Sequence, residues 1–369
     1  MTWWNIYTMT AITAAVFSLI YTPLFRRIAL KIGFHDQPAS QGHKGHKEPT
    51  PLLGGPAICL ALLSTVALGM LLVSSMKRSD IPIAVAKHLP GVSAVSPRLA
   101  ALAAGAVLAT LLGLYDDKFN MSAKAKFGGQ FVVAAIAVTW GGARTSAFIA
   151  DPIISWGVSV LWIMVVINAF NFFDNMDGLA AGIAAIAFSL FTICAALGGQ
   201  YFVAVFGAAA TGAVIGFWFY NHTPASIFMG DSGSHLLGYL LAVTGSMVTY
   251  YETNGPLQSH SRLSILLPLF ILALPLFDLV AVTVIRWKLG KPFYVGDHNH
   301  ISHRFMKMGM KRSMAVLTTH LLALTIGLAV LPLLWGGPGT TVVVLVQAAT
   351  LLLMVSVIQY AVASTKQND

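Results

Sequence analysis

The sequence is poor in charge, and this scarcity alone excludes a water-soluble protein. Only 9% of its 369 residues are Asp, Glu, Lys or Arg, whereas a soluble domain has about 25%. Apolar residues make up 57%, and the mean hydropathy is +0.76. We therefore expect an integral membrane protein.

Cysteine is nearly absent, and the features of a secreted chain are missing. The two cysteines, Cys59 and Cys194, lie inside apolar runs, which argues against a disulfide framework and against a cysteine metal site. The first apolar segment has no basic residues before it and is longer than the core of a signal peptide. We expect it to be retained as a membrane helix.

Long apolar runs predict transmembrane helices. A helix needs about 17 to 25 such residues to cross the hydrocarbon core, and the runs lack the alternation of a membrane barrel. Eleven runs have this length: 3–22, 53–74, 98–115, 127–142, 153–173, 179–198, 201–220, 235–251, 263–285, 314–335 and 340–363. The sequence thus predicts one all-α polytopic membrane domain over residues 1–369.

Basic residues are unevenly divided between the two sides of the predicted helices. The connections after odd-numbered runs, with the C-terminal tail, hold 16 of the 22: Arg26, Arg27, Lys31, Lys44, Lys47, Lys118, Lys124, Lys126, Arg286, Lys288, Lys291, Arg304, Lys307, Lys311, Arg312 and Lys366. The other side holds Lys77, Arg78, Lys87, Arg98, Arg144 and Arg262. Because positive charge accumulates in the cytoplasm, we expect the N-terminus outside and the C-terminus inside.

Carboxylates fall mainly on the same predicted cytoplasmic side. Eight lie in the odd-numbered connections: Asp36, Glu48, Asp116, Asp117, Asp174, Asp177, Asp231 and Asp297. Asp278 lies near the cytoplasmic end of the ninth run, whereas Asp80, Asp151 and Glu252 fall outside. We therefore expect the catalytic loops on one face, at about 23–52, 116–126, 174–178, 221–234 and 286–313.

The first candidate site is the acidic pair Asp116 and Asp117, followed by Lys118, Lys124 and Lys126. Adjacent carboxylates repel each other, so the pair is favoured where a divalent cation, a shared proton or a lysine compensates. The alternative is a solvated helix end with ordinary interfacial lysines.

The second candidate site is a row of polar residues at intervals of three: Asn168, Asn171, Asp174 and Asp177. If the helix continues, this spacing places them on one face, where they suit a metal ion or a sugar phosphate. The alternative is that they satisfy a helix break at Gly178.

The third candidate site is Asp231 within GDSGS, at the start of the eighth run. A helix N-terminus favours anions, and glycines allow the backbone to approach a ligand closely. A Gly/Ser turn capped by Asp231 is compatible with such a role.

The fourth candidate site gathers Asp297, His298, His300, His303 and Arg304. Zinc is disfavoured, because no cysteine accompanies the histidines and their spacing matches no common closed zinc site. An anion site for diphosphate oxygens fits better, since arginine binds such groups in bidentate fashion. The alternative is a basic loop attracted to anionic lipid.

Together the four sites predict phosphoryl transfer at the membrane boundary. Hard oxygen ligands select Mg²⁺ or Mn²⁺, and Mg²⁺ binds through one or two carboxylates plus substrate phosphates. The reaction needs positioning, charge neutralisation and an activated oxygen. We therefore expect one reactant to be a lipid phosphate and the other to come from the cytosol.

The motifs resemble those of the polyprenyl-phosphate N-acetylhexosamine-1-phosphate transferases. The DD pair, NxxNxxDxxDGL, NxxPAxxFMGDxGS and the His/Arg loop occur in family order over nearly the whole chain. The resemblance implies that Asp231 is the Mg²⁺ ligand, with Asp174 and Asp177 near metal and diphosphate and Asp177 as a second candidate ligand. It also implies that Asp116 deprotonates or orients the lipid phosphate, supported by Asp117.

The resemblance implies substrate contacts as well. Lys126, Asn171 and Asn221 would contact nucleotide or phosphates, as would Asn168. Phe228 would approach the uracil ring, and diphosphate or sugar would contact the remaining three residues, His300, His303 and Arg304. The implied reaction is attack of undecaprenyl phosphate on the β-phosphate of a UDP-sugar, with release of UMP, at the cytoplasmic face of the bacterial inner membrane.

The sequence departs from the family pattern at two positions, of which the first affects a turn and the second bears on the sugar. Asn175 replaces the first glycine of DGxDGL, and Ser302 interrupts the usual HxHH cluster. The spaced histidines and the HR ending resemble the GlcNAc-1-phosphate branch that begins surface polysaccharides. The pentapeptide translocase branch has contiguous histidines, so UDP-GlcNAc is the expected donor.

Two other functions are compatible with parts of the sequence pattern. The first alternative is the UDP-MurNAc-pentapeptide translocase of peptidoglycan synthesis. The second is an ion-coupled secondary transporter, whose acidic residues lie near the bilayer midplane in broken, repeated helices. Here the acids lie at the boundary and no repeat is visible. A nucleic-acid partner is not expected, and a homodimer is compatible with the sequence.

Overall fold

The computed structural model describes residues 2–36, 49–75, 86, 88–145, 149–248, 265–290, 292, 299–329 and 331–368. The described chain is mainly helical. Its first elements are α1 (Trp3–Ile32), β1 (His35–Asp36), β2 (Thr50–Pro51), α2 (Gly54–Ser75), α3 (Leu89–Phe119), α4 (Ala123–Thr139), α5 (Pro152–Phe173), α6 (Leu179–Leu197) and α7 (Tyr201–Asn221). The remainder are α8 (Gly230–Met247), α9 (Leu267–Ile271), α10 (Ala273–Lys288), α11 (Ile301–Lys307), α12 (Arg312–Leu328), a 3₁₀ turn (Leu331–Leu334) and α13 (Pro338–Asn368).

Eight helices in the described part of the chain are long and apolar enough to cross a membrane. They coincide with eight of the eleven predicted runs, which identifies an all-α, multi-pass membrane protein. The described residues of the other three runs are mainly helical as well, but their helices are too short or too polar to be counted as membrane spans. α4 has 17 residues, α8 begins with polar residues, and the ninth run is divided at Leu272 into α9 and α10.

α8 lies at the centre of the helix bundle. All of residues 232–245 are buried, and the helix packs against α2, α3 and α5. Glycines make this packing close: a Cβ at Gly113 of α3 would collide with the carbonyl of Asp231, and one at Gly238 would collide with Ile167 of α5. Small residues let membrane helices approach each other in this way.

A short β-hairpin ties the first loop to the start of α8. His35 pairs with Pro51 across the antiparallel strands. The Pro51 carbonyl accepts a hydrogen bond from the amide of Phe228 (2.8 Å), and the Phe228 carbonyl accepts one from the amide of Gly54 (3.0 Å). The beginning of α2 therefore lies beside the beginning of α8. Residues 37–48 of the predicted loop 23–52 lie outside the described residues.

Candidate active site

The acidic pair lies in the last turn of α3, and its two carboxylates point to different partners. The Asp116 carboxylate accepts a hydrogen bond from the amide of Met121 (2.7 Å) and forms an ion pair with Lys126 (2.7 Å). The Asp117 carboxylate accepts hydrogen bonds from the amides of Asp231 (2.7 Å) and Ser232 (3.1 Å). Asp117 therefore caps the N-terminus of α8, where a negative charge is stabilised by the helix dipole.

Lys126 lies at the centre of a compact group of polar side chains, the lysine cluster (Asp116, Lys126, Asn171 and Asp231). Its ammonium is 2.7 Å from Asp116 Oδ2, 2.9 Å from Asp231 Oδ2 and 3.2 Å from Asn171 Oδ1. Asn171 in turn donates to Asp231 Oδ1 at 2.7 Å. The lysine that the sequence predicts as a compensating charge thus connects the first three candidate sites.

The charges in the lysine cluster are mutually stabilising. Burial is the largest influence on Asp231 and would raise its pKa, but the Lys126 ammonium and the hydrogen bond with Asp116 together hold the pKa below its ordinary value. Burial would lower the pKa of Lys126, but Asp231 and Asp116 raise it. The Asp231 side chain is still 35% exposed, against 6% for Asp116. Asp231 is therefore an accessible anion at neutral pH.

The row of four polar residues is interrupted by the end of its helix. α5 ends at Phe173, so the helical continuation through Asp174 and Asp177 that would place all four on one face is wrong. Gly178 adopts a left-handed backbone (φ 72°), and its amide donates to Asn221 Oδ1 (3.1 Å). The alternative reading, a helix break at Gly178, describes the backbone correctly. Residues 174–178, here called the aspartate loop, connect α5 to α6.

Within the aspartate loop, the two carboxylates have different surroundings. Burial and the nearby charges of Asp231, Asp117 and Asp177 raise the pKa of Asp174 well above its ordinary value. No hydrogen-bond donor among the described residues reaches the Asp174 carboxylate. Asp177 accepts a hydrogen bond from the amide of Ala225 (3.2 Å), and Arg312 lies 3.8 Å from its other oxygen. Asp174 thus has the freer carboxylate of the two.

Asn168 lies one turn away from the lysine cluster, in a second polar network. It donates to Gln130 Oε1 at 2.7 Å, and the Gln130 amide lies 3.1 Å from His235 Nε2. His235 Nδ1 is 2.7 Å from the Asp231 carbonyl, which accepts; Nε2 is therefore the nitrogen that accepts from Gln130. The network therefore fixes the first turn of α8 through the Asp231 carbonyl and the His235 side chain. Sequence reasoning missed Gln130 and His235, whose signal is that they are polar residues within apolar runs.

Asn221 and Phe228 lie in the connection between α7 and α8. The buried Asn221 amide donates to the carbonyl of Ile227 (2.9 Å) and accepts from Gly178, so it joins this connection to the aspartate loop. Phe228 joins it to the first loop through its backbone. The substrate contacts expected for both residues remain predictions.

The His/Arg loop forms the short helix α11 and its N-terminus. Asp278, fully buried in α10, accepts hydrogen bonds from His300 Nδ1 and from the amide of Ile301, both at 2.7 Å. His303 lies beside His300, with ring centroids 6.3 Å apart. The Arg304 atoms Nε and Nη2 are buried with no hydrogen-bond partner among the described residues. Buried guanidinium donors without partners are suited to an anionic ligand.

The fourth motif is only partly described by the structure. Asp297 and His298 lie outside the described residues. The sequence analysis located Asp278 but did not connect it with His300. The feature that points to a role for Asp278 is a carboxylate at the end of an apolar run. Because Asp278 holds His300 through Nδ1, it leaves Nε2 as the nitrogen available to a ligand.

The carboxylates of the site can supply only part of the coordination of a divalent cation. No group of three or more His, Cys, Asp or Glu within the described ranges is arranged to hold a metal by itself. Asp231 and Asp174 nevertheless offer hard oxygen atoms in one region, since the charge of Asp231 contributes to the raised pKa of Asp174. A site with one or two carboxylates fits Mg²⁺ if substrate phosphates complete the coordination. It does not fit zinc, which needs a fuller protein ligand set.

Comparisons with known proteins identify the family of the chain. The sequence model described as "Glycosyl transferase family 4" matches residues 99–249. The chain is 33% identical to the "Probable undecaprenyl-phosphate N-acetylglucosaminyl 1-phosphate transferase" of Bacillus subtilis (strain 168), over 82% of this chain and 78% of the relative.

Two further relatives belong to different branches. The "Decaprenyl-phosphate N-acetylglucosaminephosphotransferase" of Mycolicibacterium smegmatis is 28% identical over 95% of this chain and 87% of its own. The "Phospho-N-acetylmuramoyl-pentapeptide-transferase" of Geobacillus kaustophilus is 32% identical over 61% of this chain and 70% of its own. The chain therefore belongs to glycosyl transferase family 4, the family of polyprenyl-phosphate N-acetylhexosamine-1-phosphate transferases.

Proposed function

We propose that the protein transfers GlcNAc-1-phosphate from UDP-GlcNAc to undecaprenyl phosphate and releases UMP. The observation that carries this proposal is the lysine cluster, which gathers three separate motifs around one ammonium group. The relatives named as GlcNAc-1-phosphate transferases support the donor, because their matches span more of this chain than that of the pentapeptide transferase.

In this reaction an oxygen of the lipid phosphate attacks the β-phosphorus of the UDP-sugar. The bond between the β-phosphorus and the bridging oxygen breaks, and that oxygen leaves with UMP. A phosphate monoester has a second pKa of about 6, so most of the lipid phosphate is already dianionic at neutral pH. The main task of Asp116 is therefore to orient the lipid phosphate and to take any remaining proton, with Asp117 holding the adjacent helix end.

Lys126 would neutralise charge as the phosphates approach each other. Its ammonium already lies between two carboxylates, and a phosphate oxygen at this position would share its donors. Asn171 fixes Asp231 through a hydrogen bond of 2.7 Å, so the accessible carboxylate has a defined orientation. Positioned charges of this kind supply most of the catalysis in phosphoryl transfer.

Mg²⁺ is the cofactor that we propose, with Mn²⁺ as a substitute. Asp231 would hold it, together with Asp174 or Asp177 from the aspartate loop. When bound, the ion would neutralise the diphosphate charge. Asp174 supports this assignment, since its carboxylate has a raised pKa among negative neighbours and lacks a donor among the described residues.

The donor diphosphate would bind between the aspartate loop and α11. Arg304 contributes two buried donor atoms without partners, and His300 presents Nε2 while Asp278 holds Nδ1. The expected contact of His303 is with the same diphosphate or with the sugar. We place the site on the cytoplasmic face of the bacterial inner membrane, because 16 of 22 basic residues fall on that side of the predicted topology.

Purified protein with Mg²⁺, undecaprenyl phosphate and UDP-GlcNAc tests the proposal. We expect a lipid-linked sugar and UMP in equal amounts, and loss of both in the variants Asp231→Ala and Asp117→Ala. The same assay with UDP-MurNAc-pentapeptide and UDP-GalNAc compares the donors. Turnover with another donor alone would overturn the sugar assignment, and no turnover with any donor would overturn the proposed function.

A further inference from the structure

Two side chains from separate parts of the chain meet between the aspartate loop and α11. Ser302 donates a hydrogen bond of 2.6 Å from its hydroxyl to Asn175 Oδ1. Asn175 also donates to the carbonyl of Phe172 at 3.2 Å, which fixes the orientation of its amide. Ser302 is fully buried. The contact is therefore a shielded hydrogen bond with a defined geometry.

The bond depends on both side chains. Alanine at position 175 would remove the accepting oxygen, and alanine at position 302 would remove the donating hydroxyl. Because either change loses the same hydrogen bond, the effects of the two changes should not add.

The bond joins two parts of the proposed diphosphate site. α11 is already held by Asp278, through His300 and Ile301, and by Gln359 of α13, which donates to the Ile301 carbonyl at 3.2 Å. These contacts attach α11 to α10 and α13. The hydrogen bond from Ser302 attaches it to the aspartate loop, one residue after Asp174.

We infer that Asn175 and Ser302 are a positioning pair that sets the separation of Asp174 from His300 and Arg304, and thereby the affinity for the nucleotide sugar. This inference rests on the proposed function. The pair acts through its neighbours and does not itself touch the reacting atoms. We assign undecaprenyl phosphate to Asp116 in the lysine cluster, so its affinity should not change with this separation.

A double-mutant cycle tests the pair in the full-length protein. Asn175→Ala, Ser302→Ala and the double variant are compared with the unmodified chain, with KM measured separately for each substrate. Each single variant loses the same bond, so we expect each to raise KM for UDP-GlcNAc about five- to tenfold. The double variant should show the same increase in KM as the single variants, because it loses no further bond. KM for undecaprenyl phosphate should stay within twofold, which general damage to folding would not produce.

Two controls make the outcome specific. Ser302→Thr keeps the hydroxyl and should restore most of the affinity. Ser189→Ala removes a hydroxyl that bonds within its own helix, to Ala185 at 2.7 Å, and should leave both KM values unchanged. Calorimetry on the unmodified chain, the two single variants and the double variant measures the affinity for UDP-GlcNAc directly. It therefore completes the double-mutant cycle without depending on catalytic activity.

The outcomes separate the two proposals. If the unmodified protein forms no product with any donor, the proposed function fails, and calorimetry with UDP-GlcNAc still decides the coupling. If the unmodified protein is active but the two single effects multiply in the double variant, the positions are independent and the positioning pair is refuted. Equal increases in KM for both substrates would refute it as well.

Discussion

Lys126 is the single residue on which the geometry of the site depends most. It is the positive charge between Asp116 and Asp231, at 2.7 and 2.9 Å, and its side chain is only 19% exposed. Without it, two carboxylates would face each other in a partly buried space, where like charges repel strongly. Its removal should therefore disturb the orientation of both carboxylates as well as the charge presented to substrate.

We predict that Lys126→Met lowers kcat about 100-fold, the usual effect of removing one preorganised donor from a phosphoryl or acyl transfer site. The matched control is Lys124→Met, an exposed lysine two residues earlier on the same helix. It should retain full activity. Release of UMP measures both rates, and gel filtration checks that both variants are folded. Activity of Lys126→Met within threefold of the unmodified protein would contradict the role.

Residue-level roles could be predicted from the sequence only in part. The Asp116–Asp117 pair and the compensating lysine were predictable, because adjacent carboxylates need a partner. Which carboxylate faces which partner was not, since successive residues on a helix point about 100° apart and the neighbouring helices decide what each one meets. Asp117 as the cap of α8, and Gln130 with His235 beneath it, emerge only from the packing.

At the scale of helices, the contact between α3 and α8 brings the acidic pair to Asp231. Gly113 makes this approach possible, because any Cβ there would collide with the backbone of Asp231 and Ser232. The hydrogen bonds from those two amides to Asp117 lie one turn further along α3. The distance between these helices is therefore set by a glycine.

We predict that Gly113→Ala separates α3 from α8 and reduces activity. The free energy of unfolding should fall by about 1–3 kcal/mol, because overpacking displaces backbone as well as side chains. Gly128→Ala in α4 is the matched control, since nothing lies within 4 Å of its added Cβ. Alanine favours a helix over glycine by about 1 kcal/mol, so this variant should be as stable as the parent or more stable. Equal unfolding temperatures for both variants would contradict the packing argument.

The aspartate loop shows why helix ends are harder to predict than helices. Intervals of three from Asn168 to Asp177 fit a helix, but periodicity alone does not say where the helix stops. α5 ends at Phe173, and α6 begins only after Gly178, whose left-handed backbone is held by Asn221 from another helix. The sequence was enough to recognise the polar row as a site. The backbone path of the loop could not be predicted, because it depends on the contact between Gly178 and Asn221, which are 43 residues apart.

At the scale of the whole molecule, long apolar runs and the division of charge were the most informative features. Eight of the eleven predicted runs are helices that could cross a membrane. The carboxylates that the sequence assigns to one side of the membrane come from three motifs and lie near each other in the structure. The remaining runs were harder to judge because α8 carries its polar site residues within the helix, and Leu272 divides α9 from α10. Orientation stays a prediction from the basic residues.

The predicted orientation can be tested by labelling single cysteines with a membrane-impermeant maleimide. Lys118→Cys and Lys311→Cys should react only from the cytoplasmic side, and Ala150→Cys and Gly339→Cys only from the outside; all four positions are exposed. The parent chain is the control, because Cys59 and Cys194 are buried.

Each pair of labels tests one part of the topology. Positions 118 and 150 lie on either side of α4, so opposite labelling requires this 17-residue helix to cross the membrane. Positions 311 and 339 flank α12 and the 3₁₀ turn in the same way. If 118 and 311 react from different sides, the acidic pair and the start of α12 cannot share a membrane face. The ion pair between Arg312 and Asp177 would then have no place in the active protein, and neither would a single site built from these loops.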